Sequence, residues 1–517
     1  MRAKNLATSL AAALVATALA SIGCSKDIPT QETLTPSSPS GADANAGTWS
    51  MIVLNGPTQF EVPAPAPTSS EAYQAELAAI KSAQATLTDA QRQAIDYWAG
   101  GGVLRWNQVM RELVARYNLP PAPRDNGTYV SPDANNPFAD PQFPFANPPY
   151  SARAYSYVSV AQFEALKSAW YFKFLYNRPA PSQVDGGVAA LLPASGVPSY
   201  PSEDAVLSGV STEMLKLLFP AALEEITLKA GQQREAALLG GRATASDIAA
   251  GLALGRAVAA VLVARAGTDG MGAAVGTPAQ WQALADGAAA RGEVPWKSLE
   301  SPARPPMLPN FGKVRAWMMS PTDVVKERPP APPSTSSEQM RQELAEVKLV
   351  ARDLTREELA IAYKWSDGAG TYTPPGHWND IAVEYVRDAR FSEVRAARTF
   401  ALLNMAMHDA AVGCWESKYT YFNPRPSQLD PSIKTVLGMP NFPSYTSGHS
   451  TFSAAAADVL SYLFPSGATS FAAMRDEAGI SRLYGGIHYR SDLEEGKAHG
   501  ARIGGYTVAF ARKDGAD

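Results

Sequence analysis

Cysteine and histidine are both rare in this chain, which has two cysteines and five histidines among 517 residues. With so few cysteines, a framework of disulfide bonds is not the basis of the fold. The formal net charge is −4 and no basic footprint is present, so nothing predicts binding to nucleic acid. The length and a hydrophobic share of 46% allow two or three domains with a sizeable core.

Long apolar runs are missing except at the N-terminus. There a positively charged start precedes the apolar segment 6–20, which is typical of an export signal. Small residues then lead to Cys24, as in the lipobox of bacterial lipoproteins. An ordinary signal peptide cleaved near Ala20 is the alternative. We expect residues 1–23 to be a signal peptide and the exported protein to be attached to the outer membrane only through a lipid on Cys24, with Cys414 buried.

Strand signals are sparse, whereas Ala- and Leu-rich segments with helical spacing recur, so we predict an all-α fold. Residues 24–75 are rich in proline, serine and threonine and predict a flexible tether. Residues 328–337 have a similar composition and divide the rest of the chain. The predicted parts are an N-terminal helical bundle at 76–266, a connector or lid at 267–350 and a C-terminal catalytic bundle at 351–517.

An internal repeat relates the two predicted bundles. Lys418 follows Lys173 by 245 positions, and the same offset relates several identical segments between residues 152 and 247 and their counterparts. A single register of this length predicts two tandem related halves, each of the four-helix-bundle type. The matched segments include Pro181-Ser-Gln183 with Pro426-Ser-Gln428, Pro198-Ser-Tyr200 with Pro443-Ser-Tyr445, and Leu218-Phe-Pro220 with Leu463-Phe-Pro465.

The repeat also distinguishes a half suited to chemistry from a half that is not. At five matched positions the second copy has arginine, glycine or histidine, where the first copy has alanine or an acid. Because acids repel an anion, we predict a degenerate site in the N-terminal half. The pairs are Arg425 with Ala180, Gly448 with Glu203, His449 with Asp204, Arg482 with Ala237, and His488 with Ala243.

Three motifs of the C-terminal half point to chemistry on an oxyanion. A Ser-Gly-His turn before a helix offers free backbone N–H groups and the positive end of the helix dipole. An acid four positions after a histidine can fix the imidazole tautomer. Arginine suits bidentate oxyanion binding, so together the motifs predict a site for a tetrahedral anion. They are Lys418-x6-Arg425-Pro, Ser447-Gly448-His449, and Ser481-Arg482-x5-His488-x3-Asp492.

The three motifs, in this order, resemble those of the superfamily that contains type 2 phosphatidic-acid phosphatases, class A acid phosphatases and vanadium haloperoxidases. Trp415-x-x-Lys418, preceded by Met407-His-Asp409, is similar to the haloperoxidase branch. Thr446 departs from the family, in which proline usually precedes Ser-Gly-His. The resemblance covers roughly residues 85–511 and implies a double helical bundle with one active half.

The resemblance also implies how the anion is bound. Lys418, Arg425 and Arg482 would bind the equatorial oxygens of phosphate or vanadate. Ser447 and the amide of Gly448 would add hydrogen bonds.

The roles of the two histidines differ between the branches of the superfamily. In a phosphatase, we expect His449 to form a phosphohistidine while His488, paired with Asp492, protonates the leaving oxygen. In a haloperoxidase, His488 would coordinate the vanadium and His449 would handle protons at the apical oxygen. Vanadate is therefore the expected cofactor of a haloperoxidase, and a phosphatase needs none.

Three functions are compatible with these motifs. The preferred one is a vanadium-dependent haloperoxidase that oxidises halide with hydrogen peroxide. The alternative is a phosphatase acting on a phosphomonoester, and the third is a lipoprotein scaffold that has lost its chemistry. A zinc site at His488 and Asp492 is disfavoured because no cluster of cysteine and histidine completes it.

The three histidines outside the motifs receive separate interpretations. His377 either lines the mouth of the site or caps the following helix. His408, beside Asp409, is predicted to form a buried structural pair. His499, on the last predicted helix, is also predicted to be structural.

Overall fold

A computed structural model of the protein describes residues 34–36, 38–119, 123–129 and 147–517. Helices are the regular elements of these ranges, which contain no strand, and this confirms the prediction of an all-α fold. The predicted signal peptide and Cys24 lie outside the described residues.

The α-helices are α1 (Glu71–Gln84), α2 (Asp89–Trp98), α3 (Gly102–Tyr117), α4 (Pro148–Tyr176), α5 (Pro181–Val184), α6 (Glu203–Leu218), α7 (Leu223–Leu239), α8 (Ala245–Ala266), α9 (Pro278–Ala290), α10 (Pro321–Lys326), α11 (Glu338–Asp353), α12 (Arg356–Lys364), α13 (Thr373–Asp388), α14 (Glu393–Tyr421), α15 (Pro426–Leu429), α16 (Gly448–Leu463), α17 (Ala468–Tyr484) and α18 (Arg490–Ala511). Short 3-10 helices are Ala46–Thr48, Pro220–Ala222, Met271–Ala273, Phe311–Lys313 and Pro465–Gly467.

The two halves repeat the same helices. Each helix from α4 to α8 has a counterpart of the same length that begins 245 positions later, in α14 to α18. Thr88 and Thr355 form equivalent capping boxes at the starts of α2 and α12. The order and lengths of these helices therefore agree with the sequence repeat. That the repeat arose by duplication stays a prediction.

The halves share a core along α4 and α14, which pack against each other through their buried lengths. Buried amide side chains connect them: Asn404 on α14 donates to the Ser159 hydroxyl on α4 at 2.8 Å. Asn404 also donates to Asn379 on α13, which in turn accepts from Asn107 on α3. The two bundles are thus packed against each other along α4 and α14.

Glycine allows the closest helix packing in both halves. A Cβ at Gly255 on α8 would lie 2.4 Å from the Val206 carbonyl oxygen on α6. The equivalent Gly500 on α18 lies so close to α16 that a Cβ would meet the Thr451 carbonyl oxygen at 2.1 Å. Helix Ala245–Ala273 is long and apolar enough to cross a bilayer by composition, and 39% of its apolar window is buried against the rest of the protein.

Residues 38–70 differ from the predicted tether, because they are packed against α4. Trp49 is 2% exposed, and the buried Glu164 carboxylate accepts the backbone N–H groups of Ile52, Val53 and Leu54 at 2.8–3.0 Å. The prediction of a flexible tether over 24–75 is wrong for this part of the segment. Composition did not reveal it because a few backbone hydrogen bonds and one tryptophan, rather than a long apolar run, hold the segment in place.

Candidate active site

The three motifs meet where α16 begins. Lys418 lies in the last turn of α14 and Arg425 at the N-cap of α15. His449 lies in the first turn of α16, Arg482 lies in the last turn of α17, and Asp492 lies in the first turn of α18. The loop that carries Pro443 to Ser447 runs between them, and the Ser447 N–H donates to the Asp492 carbonyl oxygen at 2.9 Å.

His488 is oriented by two groups. Its Nδ1 lies 2.8 Å from Oδ2 of Asp492, and its Nε2 lies 3.0 Å from Nη1 of Arg425. Ser444 donates to the same Asp492 oxygen. Burial, then Arg425 and Lys418, lower the pKa of His488 well below its usual value, so the imidazole is neutral at neutral pH. Because Nδ1 donates to the acid, the lone pair lies on Nε2, the nitrogen nearest the arginine.

Lys418 and Arg425 are fully buried and are held by backbone carbonyl groups of the same loop. The Lys418 ammonium donates to the carbonyl oxygens of Pro443 at 3.0 Å and Ser444 at 2.8 Å, and to Thr446. Arg425 donates to Phe442 at 3.0 Å. Burial lowers the pKa of Lys418 to about 8 and that of Arg425 to about 10. Their positive charge is therefore incompletely compensated by the protein.

Arg482 is the third buried cation. Its Nε donates to the Ser481 hydroxyl at 2.9 Å, and Nη2 donates to the carbonyl oxygens of Trp365 and Ala362. Burial lowers its pKa to about 10, an effect that Asp367 partly opposes. Buried charges are normally paired, so three cations held mainly by carbonyl groups favour an anionic ligand.

The N-terminus of α16 adds backbone donors to this set. The Ser447 hydroxyl caps the helix by accepting the Ser450 N–H at 3.3 Å. The N–H groups of the first helical residues, Gly448 and His449, have no acceptor within the helix. Gly448 lines the cavity, and a Cβ built there would meet only the Phe452 ring, at 3.5 Å.

Asp367, which the sequence motifs do not include, is the partner of His449. Its Oδ2 lies 3.5 Å from Nε2 of His449, and its Oδ1 lies 3.1 Å from Nδ1 of His377. Burial alone would raise the pKa of Asp367, but hydrogen bonds from the two histidines hold it well below its usual range. Burial and the charge of Arg482 lower the pKa of His449 to about 4. The sequence motifs do not single out Asp367, because Asp-Gly is an ordinary turn signal.

A cavity of about 690 Å³ opens onto the site. His449, Arg482, His488 and Asp367 are among its polar lining residues, and most of the lining is apolar. The apolar lining includes Leu299, Met307, Trp415, Leu437, Phe442 and Phe452.

Part of the segment predicted as connector or lid forms one wall of this cavity. Leu299, Glu300, Arg304 and Met307 line it. The Met307 carbonyl oxygen accepts from Trp415 at 3.2 Å and from the Tyr419 hydroxyl at 2.5 Å, which fixes the wall to α14. Trp415, part of the Trp415-x-x-Lys418 motif, also lines the cavity.

The remaining histidines and the buried cysteine have structural surroundings. His408 lies 3.3 Å from Asp409, whose carboxylate accepts the Trp317 and Met318 N–H groups at 2.7 Å each. His499 is buried on α18, and Cys414 is a buried free thiol. Within the described ranges, no group of three or more His, Cys, Asp and Glu side chains is placed to hold a metal ion.

The corresponding place in the N-terminal half is occupied by ion pairs. Lys173, the counterpart of Lys418, contacts Glu203 at 2.5 Å. Arg242 contacts Asp204 at 3.1 Å. The acids that replace glycine and histidine thus neutralise cations of their own half.

Comparisons with known proteins agree with this geometry. Residues 398–515 match the model of the PAP2 superfamily. A search of curated proteins finds no match. The structure is similar to that described as the first bacterial vanadium-dependent iodoperoxidase, with a TM-score of 0.53 and 25% identity over 70% of this chain and 91% of that one. It also resembles a bacterial vanadium-dependent chloroperoxidase in its holo form, with a TM-score of 0.52 and 13% identity over 74% and 97% of the two chains.

The match to the PAP2 model includes all eight predicted site residues of the C-terminal half. The likeness to the chloroperoxidase concerns the fold alone, whereas the iodoperoxidase shares a quarter of its aligned residues with this chain. Residues 398–515 therefore match the PAP2 superfamily, and the fold of the chain is similar to those of vanadium haloperoxidases.

Proposed function

We propose that this protein is an exported vanadium-dependent haloperoxidase, which oxidises halide with hydrogen peroxide. The observation that carries the proposal is the set of three buried cations, Lys418, Arg425 and Arg482, around a neutral histidine that Asp492 orients. The 25% identity to an iodoperoxidase supports this branch of the superfamily.

The residues present fit vanadate. The lowered pKa values of the three cations indicate positive charge that an anion would compensate. The first amides of α16 add hydrogen-bond donors, and His488 presents Nε2 as the ligand atom. Vanadate, when bound there, would supply the centre at which peroxide is activated and halide is oxidised.

The side chains of the protein then have separate tasks. Lys418, Arg425 and Arg482 bind and orient the oxyanion and stabilise its negative charge in a site sheltered from water. Asp492 keeps the proton on Nδ1 of His488. His449, which lines the cavity, would hold or accept a proton there.

Phosphomonoester hydrolysis is the second candidate, supported by the match to the PAP2 model. The orientation of His488 by Asp492 favours a different assignment from the sequence-based expectation. Nε2 of His488 is the nucleophile that attacks phosphorus, while the bond from phosphorus to the leaving oxygen breaks and His449 gives that oxygen a proton. Water then hydrolyses the phosphohistidine, and the proton of this water goes to His449.

Two assays on phosphate-free protein distinguish the candidates. The first measures iodination and bromination of a phenolic dye with vanadate and peroxide, and the second measures p-nitrophenyl phosphate hydrolysis without vanadate. We expect halogenation that requires added vanadate. Hydrolysis that vanadate inhibits, without halogenation, would instead establish the phosphatase. Silence in both assays would favour the inactive scaffold, which the intact second site argues against.

Export and lipid attachment are part of the proposal. They are supported by the apolar N-terminal segment 6–20 and the small residues that precede Cys24. Labelling of cells with a fatty-acid analogue should mark the wild type in the membrane fraction and leave the Cys24→Ala variant unlabelled. Equal labelling of both proteins would contradict the proposal.

A further inference from the structure

His377 contacts two residues that in turn contact the active site. Its Nδ1 lies 3.1 Å and 3.4 Å from the two carboxylate oxygens of Asp367. Its ring is stacked on Trp365, with ring centroids 4.3 Å apart and an interplanar angle of 24°. Asp367 is only 8% exposed and has a left-handed φ of 44°.

The segment that His377 supports reaches two functional side chains. The Trp365 carbonyl oxygen accepts from Nη2 of Arg482. Asp367 Oδ2 lies 3.5 Å from Nε2 of His449, a distance at the outer limit of a hydrogen bond. Hydrogen bonds of catalytic groups are often long before the ligand is bound. A displacement of this segment would therefore move both the anion-binding arginine and the histidine.

The arrangement also determines where the proton of His449 lies. An ionised carboxylate accepts hydrogen bonds and donates none, so Asp367 requires N–H groups from both histidines. Nε2 of His449 is buried and makes no full hydrogen bond to the described residues, and the Asp367 carboxylate lies 3.5 Å from it. A proton on Nε2 leaves the lone pair on Nδ1, which is then the nitrogen available to the substrate.

We propose that His377 is a positioning residue, which holds Asp367 and through it fixes His449 in the tautomer with its proton on Nε2. The tautomer of His449 can be tested whether or not the protein is active, whereas its effect on turnover rests on the proposed function. His377 does not touch the reacting atoms in this arrangement. It also does not cap α13, where Tyr372 is the N-cap residue.

Two variants separate the hydrogen bond from the packing of the ring. His377→Phe keeps an aromatic ring on Trp365 and removes the donor. His377→Asn loses the ring but places an amide N–H near the position of Nδ1. If the hydrogen bond is what matters, the asparagine variant behaves like the wild type and the phenylalanine variant does not.

Long-range nitrogen NMR of histidine-labelled protein tests the tautomer directly, because the chain has only five histidines to assign. His449→Gln identifies the relevant signals. We expect the wild type and His377→Asn to show His449 protonated at Nε2 alone, and His377→Phe to show both tautomers. A wild-type His449 protonated at Nδ1, or a signal that His377→Phe leaves unchanged, would overturn the inference.

Steady-state kinetics of whichever reaction the two assays reveal provide the second readout. We expect His377→Phe to lower kcat about 10-fold to 100-fold with a small change in KM, since misplacement of a catalytic group costs turnover. His377→Asn should recover most of this loss. If the wild type is inactive in both assays, the proposed function fails while the NMR result still decides the role of His377.

Discussion

The two halves of the molecule have equivalent helices but differ in the charge balance of the matched sites. In the N-terminal half, Glu203 neutralises Lys173 and Asp204 neutralises Arg242, so the site is closed by its own acids. In the C-terminal half, Lys418 is held by carbonyl groups, and Gly448 takes the place of Glu203. A buried lysine of this fold can therefore have a structural role or an anion-binding role. The role depends on whether the lysine contacts a carboxylate or only carbonyl groups.

The sharpest test of this comparison removes the matched lysine from each half. Lys418→Met should weaken vanadate or phosphate binding about 100-fold or more, because a fully buried charge-assisted contact is lost. Its folding stability should change by about 1 kcal/mol or less, because relief from burying a charge, the cause that lowers the pKa of this lysine to about 8, offsets the loss of its hydrogen bonds to three carbonyl oxygens. Anion titration and thermal unfolding measure the two effects.

Lys173→Met is the matched variant in the other half. It leaves the Glu203 carboxylate buried and unpaired, which should cost about 3–5 kcal/mol of stability. Anion affinity of the folded protein should stay unchanged. Weak destabilisation by Lys173→Met, or strong destabilisation by Lys418→Met, would contradict the distinction between the halves.

A second pair of variants compares the two aspartates related by the repeat. Asp492→Asn should lower activity about 100-fold, because the amide cannot hold His488 in the same tautomer. Asp247→Asn alters the contact to Arg178, 3.2 Å away, and should reduce stability without changing the kcat of the folded enzyme. Circular dichroism measures the fraction of folded protein. Rates divided by this fraction separate a loss of activity from a loss of stability.

The junction between the halves should respond to pH. Glu393, the first residue of α14, accepts the Gly102 and Val103 N–H groups at 2.8 Å and 2.9 Å. Burial, with a contribution from Asp204, raises its pKa to about 7. The folded state therefore binds this proton more tightly than the unfolded state, and stability falls as pH rises from about 4.5 to 7.

Glu393→Gln should remove that decline. We expect the variant to gain roughly 1–3 kcal/mol relative to the wild type at pH 8, and to differ little from it below pH 4.5. Urea unfolding at several pH values measures the difference. If the stability of the wild type rose between pH 4.5 and 7 just as that of the variant does, Glu393 would not control the pH dependence of stability.

The smallest effect is expected at His499. Its ring nitrogens have no hydrogen-bond partner among the described residues, and burial lowers its pKa to about 3, so the side chain is neutral. His499→Leu should leave kcat unchanged and alter stability by about 1 kcal/mol at most. Loss of activity in this variant would show that the C-terminal half uses more of its histidines than the motifs indicate.

The sequence predicted the helical class and the meeting of the three motifs because both depend on local patterns. Helical spacing marks α4 and α14, and the order Lys418, His449, His488 is that of a known family. Asp367 could not be predicted, since its role arises from a left-handed turn that directs it to His449 and His377. Residues 38–70 were also mispredicted, because proline-rich composition does not reveal a buried carboxylate that binds three backbone amides.

The packed N-terminal segment meets the end of the chain. The Ser50 N–H donates to the Asp514 carbonyl oxygen at 2.7 Å, and Arg395 contacts both Asp43 and the Ala516 carbonyl oxygen. An affinity tag fused after Asp517 and a truncation that begins at residue 55 would thus disturb the same corner of the protein. A removable tag is therefore preferable for purification. A truncation at either terminus should keep the contacts of Arg395 with Asp43 and with the Ala516 carbonyl oxygen.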